Sequence, residues 1–313
     1  MTKITSESAP ARISFITGGD KDHYLEALGW GNALNATINL CAKCSISEGK
    51  AAPENDRILS TLLEYYKKTY GVGDLHFQTS RDFPKESGLG GSAAHCIAII
   101  RALDRVAGVN RSKHETAMLA NEVERKWLGI DGGYQDQFAS AFGGFNYMKF
   151  RLDQGRPVVE VKHIDIGKDV VEGLEKMMLL VHVPREVSGD AIHKSMREGT
   201  EGMAYFMSIK RDLCELARVE LMNGDLEGFA RTVDLEYQLK KKQSPLTVTK
   251  RMDEVYNKAK NNGAIGMKFM GAGGGGCAII FTHDKESLAN VLRDDVQILE
   301  FRFEGMEHAK RDC

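Results

Sequence analysis

No apolar run in the 313-residue chain is long enough to cross a bilayer. The most apolar stretch, Met177 to Val181, falls far short of the ~20 residues that a spanning helix needs. The opening residues, MTKITSESAP, lack the apolar core of a signal peptide, so a cytoplasmic protein with no membrane partner is expected. Charge of one sign is also lacking. A formal net charge of −2 offers no attraction to nucleic acid or to an anionic lipid surface. No segment repeats, and no G-x-x-x-x-G-K-[ST] occurs, which excludes a P-loop enzyme. The six cysteines (41, 44, 96, 214, 277 and 313) are not expected to form disulfides in the absence of a secretory signal. Cys41 and Cys44 make a C-x-x-C, but NALNATINLCAKCSIS reads as a strand, on which residues three apart face opposite sides. A second pair at zinc-site spacing is missing, so two ordinary strand residues are favoured over a metal or redox pair.

The composition present, 42% hydrophobic and 27% charged, is that of an ordinary globular protein, and the length favours two domains. Periodicity predicts strand, glycine turn, short helix and strand over 10–48, a helix over 55–70 and a strand over 75–79. A helix starting near Ser92 ends at Gly108, a glycine where a C-cap belongs. The next helix carries a capping box, Ser112 with Glu115, and is expected to run to about Leu128. Strand-like pieces reach about residue 165, and MMLLVHV reads as a buried strand. Helical stretches follow at about 199–223 and 226–242. The rest alternates: helix 248–261, strand to Met270, strand CAIIF, helix 285–293 and strand QILEFRF. Two α/β units with a joint near 165–175 result, 1–170 and 171–313.

Two glycine-rich loops interrupt this pattern, PKESGLGGS at 84–92 and GAGGGG at 271–276. Both fit G-x-G-x-x-G or its alanine variant literally. The second is followed by a strand rather than a helix, and Pro84 separates the first from any strand, which argues against a dinucleotide fingerprint. The first loop does open a helix. A glycine-lined helix start offers unsatisfied N–H groups and a partial positive charge to phosphate, and Ser92 adds a hydroxyl for phosphate or Mg2+. The plainer reading makes Ser92 an N-cap, worth ~1 kcal/mol. Glu124 shares a helix face with Ala117, Ala120, Trp127 and Leu128, where a carboxylate is costly unless paired, whereas Glu122 faces solvent. Asp136 comes after two glycines in DGGYQDQF. Together the two acids could hold Mg2+ and act as a base; a buried salt bridge plus a turn aspartate is the alternative.

In their order along the chain, these stretches resemble a family. PKESGLGGSAA resembles the central motif of the GHMP small-molecule kinases, GAIGMKFMGAGGGGC their C-terminal glycine motif, and APARISF their first motif. The runs NATIN and GGYQDQFASAFGGFN are most similar to the D-glycero-D-manno-heptose 7-phosphate kinases within that family. The resemblance implies an α+β protein, with an N-terminal ATP-binding domain like the second domain of ribosomal protein S5 and a ferredoxin-like C-terminal domain. It implies ATP and Mg2+ as cofactors and a sugar or sugar-phosphate acceptor, with the anomeric hydroxyl of a heptose 7-phosphate as first choice. Another acceptor, a non-catalytic sensor and a decarboxylase stay open.

By the same resemblance, Pro84, Lys85, Ser87, Gly88, Leu89, Gly90, Gly91, Ser92 and Ala93 form the phosphate loop, and Ser92 and Glu124 ligate the metal. Asp136 is the catalytic aspartate, with Arg12 as its basic partner. Gly133, Gln135, Gly273, Gly274, Arg185 and one of Asp20 or Asp22 meet the acceptor. The sequence departs from the family at several points. ITGGDKDHY replaces a G-G-G-T-D-like run, Gly91-Ser92 replaces a serine pair and Met270 replaces a threonine. PREVSGDAIHKS stands where the heptose kinases have a T-G-x-x-R-like run; Arg185 and Lys194 are its candidates for holding an anionic group.

Overall fold

The computed structural model describes residues 5–49, 55–198 and 203–304. Cys313, the first four residues and the expected helix start at 199–202 lie outside them. The chain divides into two compact units that are not contiguous in sequence. One comprises 1–12, 37–85 and 90–143; the other comprises 13–36, 86–89 and 144–313. Compactness therefore follows a different division from a cut at 170.

The strand–helix–strand opening is present as β1 (Thr5–Gly18), α1 (Asp22–Leu28) and β2 (Trp30–Glu48). In the first unit, the end of β2 pairs antiparallel with β3 (Leu75–Arg81), from Ala42 opposite Arg81 to Glu48 opposite Leu75. The C-x-x-C pair lies on this part of β2, Cys41 half-buried and Cys44 buried. Helix α2 (Arg57–Tyr70) starts at Asp56, whose carboxylate accepts the Leu59 N–H at 3.0 Å, and ends at Gly71 in the left-handed conformation. Helix α3 (Gly91–Ala107) is rich in alanine and isoleucine and is buried along most of its length, from Ala93 to Asp104. Small side chains let other elements pack on all its sides, and Gly108 closes it as expected.

Helix α4 (Lys113–Glu122) has the anticipated capping box. Its continuation differs from expectation: Val123–Trp127 form a π turn. An extra residue per turn rotates the helix face beyond it, so Val123 is fully buried while Trp127, expected on the core face, is 37% exposed. Helix α5 (Gln135–Phe142) completes the unit.

In the second unit, residues 30–36 of β2 pair antiparallel with β4 (Phe145–Asp153), which forms a hairpin with β5 (Arg156–His163). After α6 (Lys168–Met177), MMLLVHV forms β6 (Met178–Val183), buried as expected except for its half-exposed His182. Helices α7 (Gly189–Glu198), α8 (Met203–Met222), α9 (Leu226–Lys241) and α10 (Lys250–Asn261) then precede β7 (Ala264–Phe269), β8 (Gly276–Thr282), α11 (Lys285–Leu292) and β9 (Gln297–Leu299). The spatial order β7-β8-β6-β9 is antiparallel throughout and is that of a ferredoxin-like βαββαβ unit. Its core packs Val181, Phe269 and Ile280 against Tyr237, Met252 and Leu288. Two helices were not anticipated: α6 occupies the expected joint, and α7 occupies the divergent segment. The strand expected over QILEFRF is only the three residues of β9.

Candidate active site

The plainer reading of Ser92 as an N-cap does not hold, since the helix start places Gly90 at the N-cap, in the left-handed region at φ 71°. A Cβ there would lie 3.3 Å from Arg12 Cγ, and one on Gly91 would lie 2.5 Å from the Phe83 ring, so glycine lets both come close. Ser92 is the second residue of α3. Its exposed hydroxyl donates a short hydrogen bond to Oε1 of Glu124, which is 4% exposed. Gln137 Nε2 donates to the other carboxylate oxygen at 2.6 Å. Burial pushes the Glu124 carboxyl up from its ordinary pKa and the Asp136 charge adds to this, while the two hydrogen bonds pull it back.

Asp136 is not in the glycine turn but is the second residue of α5. Arg12, 4% exposed, reaches its Oδ1 with both Nε (2.9 Å) and a terminal nitrogen (2.7 Å). Both contacts fall on one carboxylate oxygen. Gly133 accepts a hydrogen bond from Asn121 at 3.0 Å, and Gln135 is buried as the first residue of α5. One turn beyond Ser92, His95 is bonded to Asp56 at 2.6 Å and fixes the start of α2 to α3. Burial opposes the Asp56 charge, but the His95 and Leu59 bonds hold its pKa below the usual range. Arg12, Gly90, Ser92, Glu124 and Asp136 thus form one cluster in the first unit.

Residues 86–89 of the first glycine loop belong to the second unit. Pro84 is half-buried and Lys85 exposed, and the chain then enters that unit for residues 86–89 before returning at Gly90. There the two glycine loops meet. The Cys277 N–H donates to the carbonyl of buried Ser87 at 2.6 Å, and a Cβ on Gly88 would lie 2.9 Å from the Met270 carbonyl. Leu89 is buried, and its N–H reaches the Ser87 hydroxyl at 3.4 Å. Gly273 and Gly274 have positive φ, and Cβ atoms on them would lie 2.3 Å from the Thr247 carbonyl and 2.6 Å from that of Val187. Arg185 donates to the carbonyls of Glu86 (3.2 Å) and Gly273 (2.7 Å), so it ties the two loops together. Lys194 is exposed on α7. Asp20 precedes α1 and Asp22 begins it, both half-buried; Lys21 between them lies 3.2 Å from His193 of α7. Burial and then Lys21 push the His193 pKa down to about 4.

The fit of these residues to a metal ion is specific in kind. Among the described residues no group of three or more His, Cys, Asp or Glu side chains could hold one alone. One carboxylate oxygen beside one hydroxyl is a hard, incomplete oxygen set, suited to Mg2+ carried in by nucleotide phosphates.

Two family descriptions match the sequence, GHMP kinases N terminal domain over residues 57–144 and GHMP kinases C terminal over 217–294. A D-glycero-alpha-D-manno-heptose 7-phosphate kinase of Campylobacter jejuni is 30% identical across 97% of this chain and 98% of its own. The chain belongs to the GHMP kinases. This GHMP kinase is also 31% identical to a mevalonate kinase of Methanothermobacter thermautotrophicus, over 69% of the chain and 66% of that relative. Among solved structures, a D-glycero-D-manno-heptose 1-phosphate kinase from Bacteriodes thetaiotaomicron is 25% identical and matches with a TM-score of 0.78, covering 96% of each chain. The family is one of ATP-dependent small-molecule kinases, and no described helix is long and apolar enough to cross a membrane.

Four residues of this GHMP kinase that shape the site escaped the sequence reading: Asn121, Gln137, His95 and Lys240. Gln137 had a signal, a polar residue between Asp136 and the apolar Phe138 and Ala139. Lys240 had none, because KKK at 240–242 looks like a solvated helix end. It is in fact buried and donates to the carbonyls of Phe269 (3.1 Å) and Gly271 (2.5 Å).

Proposed function

We propose that this GHMP kinase transfers the γ-phosphoryl group of ATP to a hydroxyl of a sugar phosphate, with the anomeric hydroxyl of a heptose 7-phosphate as first choice. The observation that carries this reading is the Arg12–Asp136 pair, held in the same cluster as Ser92 and Glu124. Gly88 to Ser92 line the ATP phosphates with backbone N–H groups and the start of α3. Ser92 and Glu124 hold Mg2+, which when bound neutralises charge on the phosphates. Asp136 accepts the proton of the acceptor hydroxyl as the hydroxyl oxygen bonds to the γ-phosphorus and the bond to ADP breaks. Arg12 orients Asp136 and stabilises charge on the moving phosphoryl group. One of Asp20 or Asp22, with Gly133, Gln135, Gly273 and Gly274, meets the sugar. Within this reading, 1–170 serves as the ATP-binding domain and 171–313 as the C-terminal domain, and the activity is cytoplasmic.

The test is ADP release over a panel of heptose phosphates, the unphosphorylated heptose, galactose and mevalonate. A charged hydrogen bond to the acceptor's own phosphate contributes ~1.5–3 kcal/mol, so the phosphorylated heptose should exceed the free sugar in kcat/KM by at least about tenfold. Equal use of the two sugars would point to a neutral acceptor, and no ADP release with any of them would favour the sensor. With the best acceptor, Asp136→Asn should lower kcat by about 10²–10⁴-fold with ATP affinity within a few-fold. A variant that turned over like wild type would remove Asp136 from the chemistry.

A further inference from the structure

Behind Glu124 stands a chain of two buried amides. Gln137, 4% exposed, donates from Nε2 to Glu124 Oε2 at 2.6 Å, and its own Oε1 accepts from Asn121 Nδ2 at 3.4 Å. Asn121, 5% exposed, also donates to the Gly133 carbonyl at 3.0 Å, in the turn that leads into α5. The polarity of this chain has one solution. An ionised carboxylate only accepts, so the amide nitrogen of Gln137 must face Glu124, and the Asn121 donor fixes the oxygen end on the other side. The backbone beneath Glu124 is pinned as well. The π turn that carries it is closed by Leu128 N–H on the Val123 carbonyl (3.0 Å), and the Ile130 N–H reaches the carbonyl of Glu124 itself at 2.8 Å.

We propose that Gln137 is a positioning residue that restricts Glu124 to one oxygen for the metal ion, with Asn121 holding Gln137 in the orientation that does so. Oε2 is engaged by Gln137, and Oε1 is the oxygen that faces the exposed Ser92 hydroxyl. A carboxylate offering a single oxygen suits Mg2+, which keeps a strict six-oxygen shell completed by water and phosphate. Ca2+ accepts more ligands and readily takes both carboxylate oxygens. Gln137 therefore does more than fill a buried gap: it selects the smaller ion. It also sits next to Asp136 on α5, so one short helix orients both the metal ligand and the base. This inference rests on the metal role proposed above for Ser92 and Glu124.

The experiment titrates Mg2+ and, separately, Ca2+ into the full-length protein saturated with ADP, by calorimetry, and compares wild type with Gln137→Met, Asn121→Asp and Glu124→Gln. Methionine keeps the length of the side chain and removes the donor. Gln137→Met should weaken Mg2+ binding by about 10–100-fold, the range typical of groups that orient metal ligands. Ca2+ binding should weaken less, so the Mg2+/Ca2+ preference falls. Asn121→Asp presents an acceptor to Gln137 and should shift the preference in the same direction by a smaller factor. Wild-type Mg2+ affinity and an unchanged preference in Gln137→Met would overturn the proposal. Should that variant not fold, an unchanged preference in Asn121→Asp would overturn it instead. Loss of Mg2+ binding in Glu124→Gln without loss in Gln137→Met defeats the positioning role alone. Wild-type Mg2+ binding in Glu124→Gln defeats the metal reading beneath it as well.

Discussion

Glu124 and Glu236 are both buried carboxylates, 4% and 1% exposed, and their surroundings drive them in opposite directions. Glu124 is met by neutral donors, a hydroxyl and an amide, and its pKa rises because burial prevails. Glu236, on α9, has Lys210 Nζ 2.6 Å from Oε1 and Lys268 Nζ 2.6 Å from Oε2. Burial alone would raise its pKa, but the lysine charges overrule it and hold it at about 2. Lys268 also donates to the Phe15 carbonyl at 2.6 Å, and Lys240, one turn after Glu236, is driven well below its ordinary pKa by burial and by Lys268. The difference separates two uses of a buried acid. Glu236 is already matched by cations and holds the second unit together, whereas Glu124 is bonded to neutral donors alone.

The largest expected effect is on Glu236. Glu236→Gln leaves buried ammonium groups without their counter-charge, and breaking a buried pair in this way costs about 3–5 kcal/mol. Urea unfolding should show that loss; a stability within about 1 kcal/mol of wild type would mean that the cluster is not a structural ion network. Next comes acid. The Glu236 pKa is depressed on folding, so its contribution is complete above the ordinary carboxyl value of 4.5 and disappears as pH falls toward about 2. A shift of that size corresponds to roughly 3 kcal/mol. Unfolding curves collected between pH 5 and 2 should show a steeper loss in wild type than in Glu236→Gln, and parallel curves would contradict the assignment. Smallest in stability is Glu124→Gln, expected within ~1 kcal/mol of wild type because the desolvated charge it removes has no ionic partner to lose. Its effect falls on turnover across a magnesium titration; unchanged turnover would make Glu124 structural, and the contrast with Glu236 would collapse.

Much of this was legible in the sequence, for identifiable reasons. Periodicity located α3, α4 and α10 because a repeating apolar face and a cap, such as Ser112 with Glu115, are local signals. Ser92 and Asp136 drew notice because glycines precede them, Glu124 because it is a carboxylate on an apolar helix face, and Arg12 only because APARISF resembles a family motif. Elements that depend on distant contacts were not. The π turn bears no sign in its sequence, α7 has only Ala191, Ile192 and Met196 as apolar residues, and the burial of Lys240 goes with its bonds to the carbonyls of Phe269 and Gly271, about thirty residues away. Arg185 was expected to meet an anion for want of any local sign that it binds the carbonyls of Glu86 and Gly273.

The hydrogen bond from Cys277 to Ser87 joins positions about 190 residues apart, and the chain changes compact unit five times between its ends. Contacts of such long sequence separation form slowly, because a large loop must close before they stabilise anything. A ribosome delivers the segment 84–92 long before the strand that receives Ser87. Residues 87 and 88 thus reach their final setting only after the segment carrying Met270 and Cys277 has been made, and a chain ending before Met270 keeps the Arg185 bond to Glu86 but lacks the partners of Ser87 and Gly88.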